Sequence, residues 1–176
     1  MGRWPSTFDY VGSGGSDLSA FGQERYSSLE GYARDVVEVC EELDLTSAVF
    51  VGHSVSAMVG VLAARMALLI MGNPERPELG EELTNSFCAT DPDIAAIFAR
   101  TTFLSDSRED LKSVTVPTLV LECSQDVIAP REVGAYVHAA IPSSRLVTLD
   151  ATGHCPQLSA PQATNEAILT FSADFR

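Results

Sequence analysis

The chain has 176 residues, 45% of them apolar, which fits one globular domain with a buried core. With 24 acidic against 11 basic residues its net charge is −13, which argues against nucleic acid and anionic membrane as partners, since both need basic patches. The longest apolar stretch, Ala57 to Met71, is interrupted by Arg65 and falls short of the ~20 residues of a membrane span, and "MGRWPST" lacks the apolar centre of a secretory signal.

In chain order, "TFDYV" is expected to be a short strand, followed by the loop "GSGGSD". Gly12-x-Gly14 starts a dinucleotide fingerprint, but its third glycine would fall at Asp17 and no helix opens at the loop. A glycine-rich turn is the better reading, and no cofactor is expected. Ser27-Ser28-Leu29-Glu30 is a capping-box pattern, after which Leu29, Tyr32, Val36, Cys40 and Leu43 recur at helical spacing. "SAVFVG" reads as a strand buried on both faces, and Val55 to about Arg65 as a helix that can run on to Met71.

Gly72 to Asp110 is polar-rich and reads as two helical pieces, "RPELGEELTNSF" and "DPDIAAIFARTTFL", the second with Asp91 as N-cap and Pro92 at N1. "VPTLVLECS" is a strand opened by Pro117, "PREVGAYVHAAI" a helix, "SRLVTLD" a strand and "PQATNEAILTFSADF" a closing helix. Strands alternating with helices predict an α/β fold with a mainly parallel sheet flanked by helices. Cys40, Cys88, Cys123 and Cys155 lack metal-ligand spacing and read as reduced small hydrophobes of a cytoplasmic protein.

The stretch with chemical promise is "VFVGHSVSAM", Val49 to Met58. A serine hydroxyl becomes a useful nucleophile when a sharp strand-to-helix elbow projects it beside a base, and the tight bend needs small neighbours. Gly52 stands two residues before Ser54, and Ser56 takes the place of the usual second glycine. Taken alone, the same turn fits an ordinary helix N-terminus capped by Ser54. Two further residues favour the catalytic reading. Asp126 follows "TLVLECSQ" and His154 follows "RLVTLDATG", both just past strand C-termini, where open parallel sheets place their sites. The interval of 154 − 126 = 28 residues leaves room for one helix and one strand. Asp150, four residues before His154, is a rival for the acid. His53 is read as packing, His138 as a solvated or half-buried helix residue, and Glu122 as a strand residue facing solvent or an edge.

The segments "FDYVGSGGSDL", "LEGYARDVVEVCEELDL", "VFVGHSVSAMVG", "GNPERPELGEELTNSFCATDPDIA", "FLSDSREDL", "VPTLVLECSQDVIAP" and "GHCPQLSAP" together resemble an α/β-hydrolase. Within that superfamily they are similar to the RsbQ-type bacterial stress-signalling hydrolases and to the plant strigolactone and karrikin receptors. The resemblance covers nearly the whole chain. It implies Ser54 as nucleophile, Asp126 as acid and His154 as base, with the backbone N–H of Val55 as an oxyanion-hole donor and no metal or organic cofactor. It also implies a small apolar ester or lactone as substrate. An alternative is a signalling role, with a bound small ligand and a partner phosphatase.

Two departures from the family are expected to matter. Members carry several strands before "FDYVGSG", with a loop that supplies a second oxyanion donor, and only "MGRWPST" stands there. After Arg65 they run through a further strand and a helical lid, which Met66 to Met71 alone would bridge, leaving Arg76 to Phe87 as the surviving end of the lid. On this reading residues 1–71 are the N-terminal part of the hydrolase core with the elbow. Residues 72–110 are remnant lid and connecting helices, and residues 111–176 the C-terminal core with acid and base. A scaffold so shortened is expected to expose sheet edges, to weaken activity, and to favour a homo-oligomer or an inactive remnant.

Overall fold

The structure, a computed structural model, describes residues 7–44, 51–53, 91–106, 108–114 and 116–175. These form two compact units.

The first unit comprises residues 7–44, 51–53 and 91–105. Residues 7–11, expected as a strand, are irregular and enter a turn instead. Local hydrogen bonding decides this. The Tyr10 carbonyl accepts the Ser13 N–H at 2.9 Å, the Ser13 hydroxyl at 2.9 Å and the Ser16 hydroxyl at 2.8 Å. That carbonyl is committed to the turn, where competing side-chain bonds displace a ladder. Gly12, at φ 91°, takes the left-handed backbone the turn requires.

Helix α1 spans Gln23–Tyr26 and α2 Leu29–Glu42. The N-cap of α2 is Ser28 rather than Ser27, so Glu30 falls one position early for the reciprocal capping box. Hydrogen bonds from the Ser28 side chain and from its own backbone N–H instead hold the Glu30 carboxyl below its usual range. Helix α3, Pro92–Leu104, begins as expected. Asp91 accepts the N–H groups of Asp93 and Ile94 at 3.0 and 3.2 Å, with Pro92 in the first turn.

An aromatic core joins these helices. Tyr26, Tyr32 and Phe98 are buried, with Tyr10, Val11, Phe21 and Leu29 packed against them. Tyr32 meets Phe98 edge to face at 4.8 Å between ring centres, and Phe21 stacks on Tyr26 at 5.2 Å. Arg25 ties α1 to α2 through Asp35 and Glu38 at 2.6 and 2.8 Å. Val51, Gly52 and His53 are exposed and outside any strand, Val51 at 62%. His53, expected as a packing residue, is one of these exposed residues. The remainder of the expected strand "SAVFVG", the elbow helix and the helix "RPELGEELTNSF" lie outside the described residues.

The second unit comprises residues 106, 108–114 and 116–175. Its elements are β1 (Thr118–Gln125), α4 (Arg131–Ala140), β2 (Ser144–Thr152), α5 (Pro156–Ser159) and α6 (Pro161–Ala173). The short α5 was not legible beforehand. β1 and β2 pair in parallel with α4 as the crossover, as the apolar strand runs lead one to expect. Cys123, Leu149 and Ala151 form a buried cluster, joined by Val147, Ala160 and Ala167. Ala167 belongs to α6, whereas Glu122 meets Gly134 of α4. Successive strand residues face opposite ways, so α6 covers one face of this parallel pair and α4 the other. Among the described residues no helix is long and apolar enough to cross a membrane.

Candidate active site

Parallel pairing brings the C-terminal ends of β1 and β2 to one edge, where Asp126 follows Gln125 and Gly153-His154 follows Thr152. Register then adjusts the fit. From Thr118↔Ser144 to Cys123↔Leu149 the offset is 149 − 123 = 26, and at Gln125↔Thr152 it is 152 − 125 = 27. The bulge between these pairs advances β2 by one residue and draws His154 toward the end of β1. Gly153, at φ 91°, makes the turn off β2, and its N–H donates to the Gln125 carbonyl at 2.8 Å. The glycine before the histidine in "TGH" is the sequence signal for that turn.

The outcome is a hydrogen-bonded pair. His154 Nδ1 lies 2.7 Å from Asp126 Oδ2, with the Asp126 side chain 6% exposed and that of His154 16%. Asp126 Oδ1 accepts the N–H groups of Ile128 and Ala129 at 2.8 and 3.0 Å, which leaves Oδ2 aimed at the ring. An ionised carboxylate can only accept, so in the neutral imidazole Nδ1 carries the proton and Nε2 the lone pair. Such a ring takes a proton at Nε2, and the adjacent carboxylate stabilises the cation that forms.

The other singled-out residues fall as follows. Asp150 is exposed on β2, its Oδ1 3.4 Å from the Ser124 hydroxyl. His138 is exposed on α4 with Nδ1 2.8 Å from Ser144 Oγ. Glu122 corrects the sequence reading: it is buried rather than solvent-facing, because Thr148 donates to its Oε1 at 2.7 Å and α4 presents the bare backbone of Gly134 to it. Ser54 and Val55 lie outside the described residues.

Cys155 directly follows His154, and Cys123 lies three residues before Asp126. Burial, then the Asp126 charge, pushes both thiols up to about 11, so neither is a thiolate nucleophile at neutral pH. Among the described residues no group of three or more His, Cys, Asp or Glu side chains is placed to hold a metal.

The chain is similar to several known proteins. The chain is 29% identical to karrikin insensitive 2 receptor IA of Petunia hybrida, over 92% of this chain and 78% of that protein. It is 28% identical to strigolactone esterase D14 of Arabidopsis thaliana, over 88% and 76%. A solved hydrolase from Oleispira antarctica superposes with a TM-score of 0.82 at 34% identity, covering 94% of this chain and 80% of that one. The family model described as "Alpha/beta hydrolase family" matches residues 71–167, more than half of the sequence. The chain belongs to the alpha/beta hydrolase family.

Proposed function

We propose that the chain is a serine hydrolase acting on a small apolar ester or lactone, with Ser54 as nucleophile, His154 as general base and acid, and Asp126 as the residue that orients the base and stabilises its cation. The observation that carries this is the 2.7 Å contact between His154 Nδ1 and Asp126 Oδ2 at the shared end of two parallel strands. It sets up the tautomer a serine hydroxyl needs from its base. Names among the relatives, strigolactone esterase in particular, favour an ester bond.

In this mechanism His154 Nε2 takes the Ser54 proton as Oγ attacks the acyl carbon. The negative charge that develops on the carbonyl oxygen is met by the Val55 N–H. The imidazolium returns its proton to the leaving alkoxide, and the acyl group remains on Ser54. Water, deprotonated by the same nitrogen, then releases the acid and restores Ser54. No cofactor enters. The ring accepts a proton only when neutral, so turnover falls on acidification.

The reading keeps residues 1–71 and 111–176 as the two parts of the hydrolase core and residues 72–110 as remnant lid and connecting helices. An internally shortened scaffold is supported by the span of the comparison. The petunia receptor aligns over 213 positions and this chain has 176 residues, so at least 213 − 176 = 37 positions of that relative have no counterpart here. A smaller lid means a less enclosed site and slower turnover than in relatives that carry the whole lid. It also leaves homo-oligomerisation as a way to cover exposed edges. The name of the petunia receptor favours a second reading, a protein that signals on binding a small ligand; that this would be a cytoplasmic RsbQ-like regulator with a phosphatase partner rests on the sequence resemblance alone.

The test is hydrolysis of a short acyl ester by the parent chain and by Ser54→Ala. The expected result is turnover in the parent and none above background in the variant, with matching circular dichroism. Equal rates in the two would reject Ser54 as nucleophile.

A further inference from the structure

Glu122 is the charged group that the proposed chemistry leaves unused. A carboxylate inside a strand costs desolvation unless it is paired, and an apolar residue would fill the same position at no such cost. Its side chain is 6% exposed. Oε1 accepts the Thr148 hydroxyl at 2.7 Å, directly across the ladder, and lies 3.4 Å from Nε of Arg131. A Cβ at position 134 would crowd Oε2, so in its present placement the carboxylate occupies space that Gly134 leaves open. A buried acid and a helix that yields space for it are two separate features with one result.

Arg131 is the first residue of α4, and Glu122 lies four residues before Asp126 on β1. Between the two runs the loop that holds Asp126 and the two N–H groups bonded to its Oδ1. The start of that loop is tied to β2 by the Gly153 N–H on the Gln125 carbonyl. Its far end is tied to β2 through Arg131, Glu122 and Thr148. Both ends are thus referenced to the strand that leads into His154.

We infer that Glu122 is a positioning residue for the acid of the site: with Arg131 and Thr148 it forms a latch that holds the Asp126 loop against the strand that leads into His154. The inference rests on the triad reading, because a fixed separation of carboxylate and imidazole matters only if that pair works together. Catalytic groups lose rate steeply when displaced by fractions of an ångström, and buried hydrogen-bonded supports are what prevent this.

The experiment is amide hydrogen exchange at Ile128 and Ala129 in the parent, in Glu122→Gln and in Arg131→Gln, beside ester kinetics on the same samples. Arg131 is 67% exposed, so its variant keeps the fold even if Glu122→Gln does not. The expected result is roughly fivefold faster exchange at Ile128 and Ala129 in Arg131→Gln, with β2 amides unchanged, the scale of losing one partly exposed ion pair. The accompanying kinetic result is a lower kcat at unchanged KM. Parent-like exchange at those two amides would overturn the latch. So would equal acceleration of every amide in the unit, which would make the cluster merely structural. If the parent cleaves no ester, the triad reading fails by itself, and exchange still decides the latch.

Discussion

Asp126→Asn separates the two jobs of one side chain. In the parent, Oδ1 holds the loop through Ile128 and Ala129, and Oδ2 takes the Nδ1 proton of His154. Asparagine keeps an oxygen for the loop and presents an NH2 group to the ring. Donor would then face donor, so the imidazole shifts its proton to Nε2 and turns Nδ1 into the acceptor. Nε2–H cannot take the Ser54 proton. The expected loss in kcat is of order 10³–10⁴, about 4–5.5 kcal/mol of barrier. Stability falls far less, by about 1–2 kcal/mol, because the bonds to Ile128 and Ala129 become neutral without being lost and only the contact to the ring is rearranged. Initial rates on a short acyl ester measure the first effect and a urea melt the second. The ¹⁵N shifts of the imidazole report the tautomer directly, whether or not the chain turns over substrate. A variant with the parent's rate and the parent's tautomer would refute the reasoning, and a larger loss from Asp150→Asn would move the acid to Asp150.

Two further outcomes follow from the second unit. Gly134→Ala should destabilise by up to about 2 kcal/mol in a urea melt: crowding the buried Glu122 carboxylate costs ~1–3 kcal/mol, against the ~1 kcal/mol helix gain of alanine. Pairing it with Glu122→Ala should relieve part of that cost, and strict additivity would contradict the contact. Stability should also decline as pH rises from about 9 to about 11, because the unfolded chain releases the Cys123 and Cys155 protons near the lower value and the folded chain near the higher one. Each thiol contributes about 1.4 kcal/mol per pH unit in that window, and a flat melting temperature there would mean that the two side chains are not buried.

Legibility tracked how local the deciding interaction is. The start of α3 was readable to the residue, since a capping carboxylate at 91 and a proline at 92 act within one turn. β1 and β2 were readable as apolar runs, and with them the positions of Asp126 and His154 past their ends. Residues 7–11 had the composition of a strand, but the serines at 13 and 16 captured the Tyr10 carbonyl and turn chemistry prevailed. Glu122 was misjudged for the opposite reason. Its partners are 26 and 9 residues away, and the space for it comes from an absent side chain at 134. The bulge that advances His154 by one residue has no counterpart in the hydrophobic pattern either.

On the proposed reading, Ser54 is a nucleophile activated by His154. Incubation with an alkyl phosphonofluoridate tests it without knowledge of the substrate: Ser54 Oγ would attack phosphorus, fluoride would leave, and the hydroxyl proton would pass to His154. Intact-mass and peptide mass spectrometry should show one phosphonyl adduct on the peptide containing Ser54, lost in Ser54→Ala and strongly slowed in His154→Gln. An unlabelled parent chain, or an adduct on any other residue, would contradict the account.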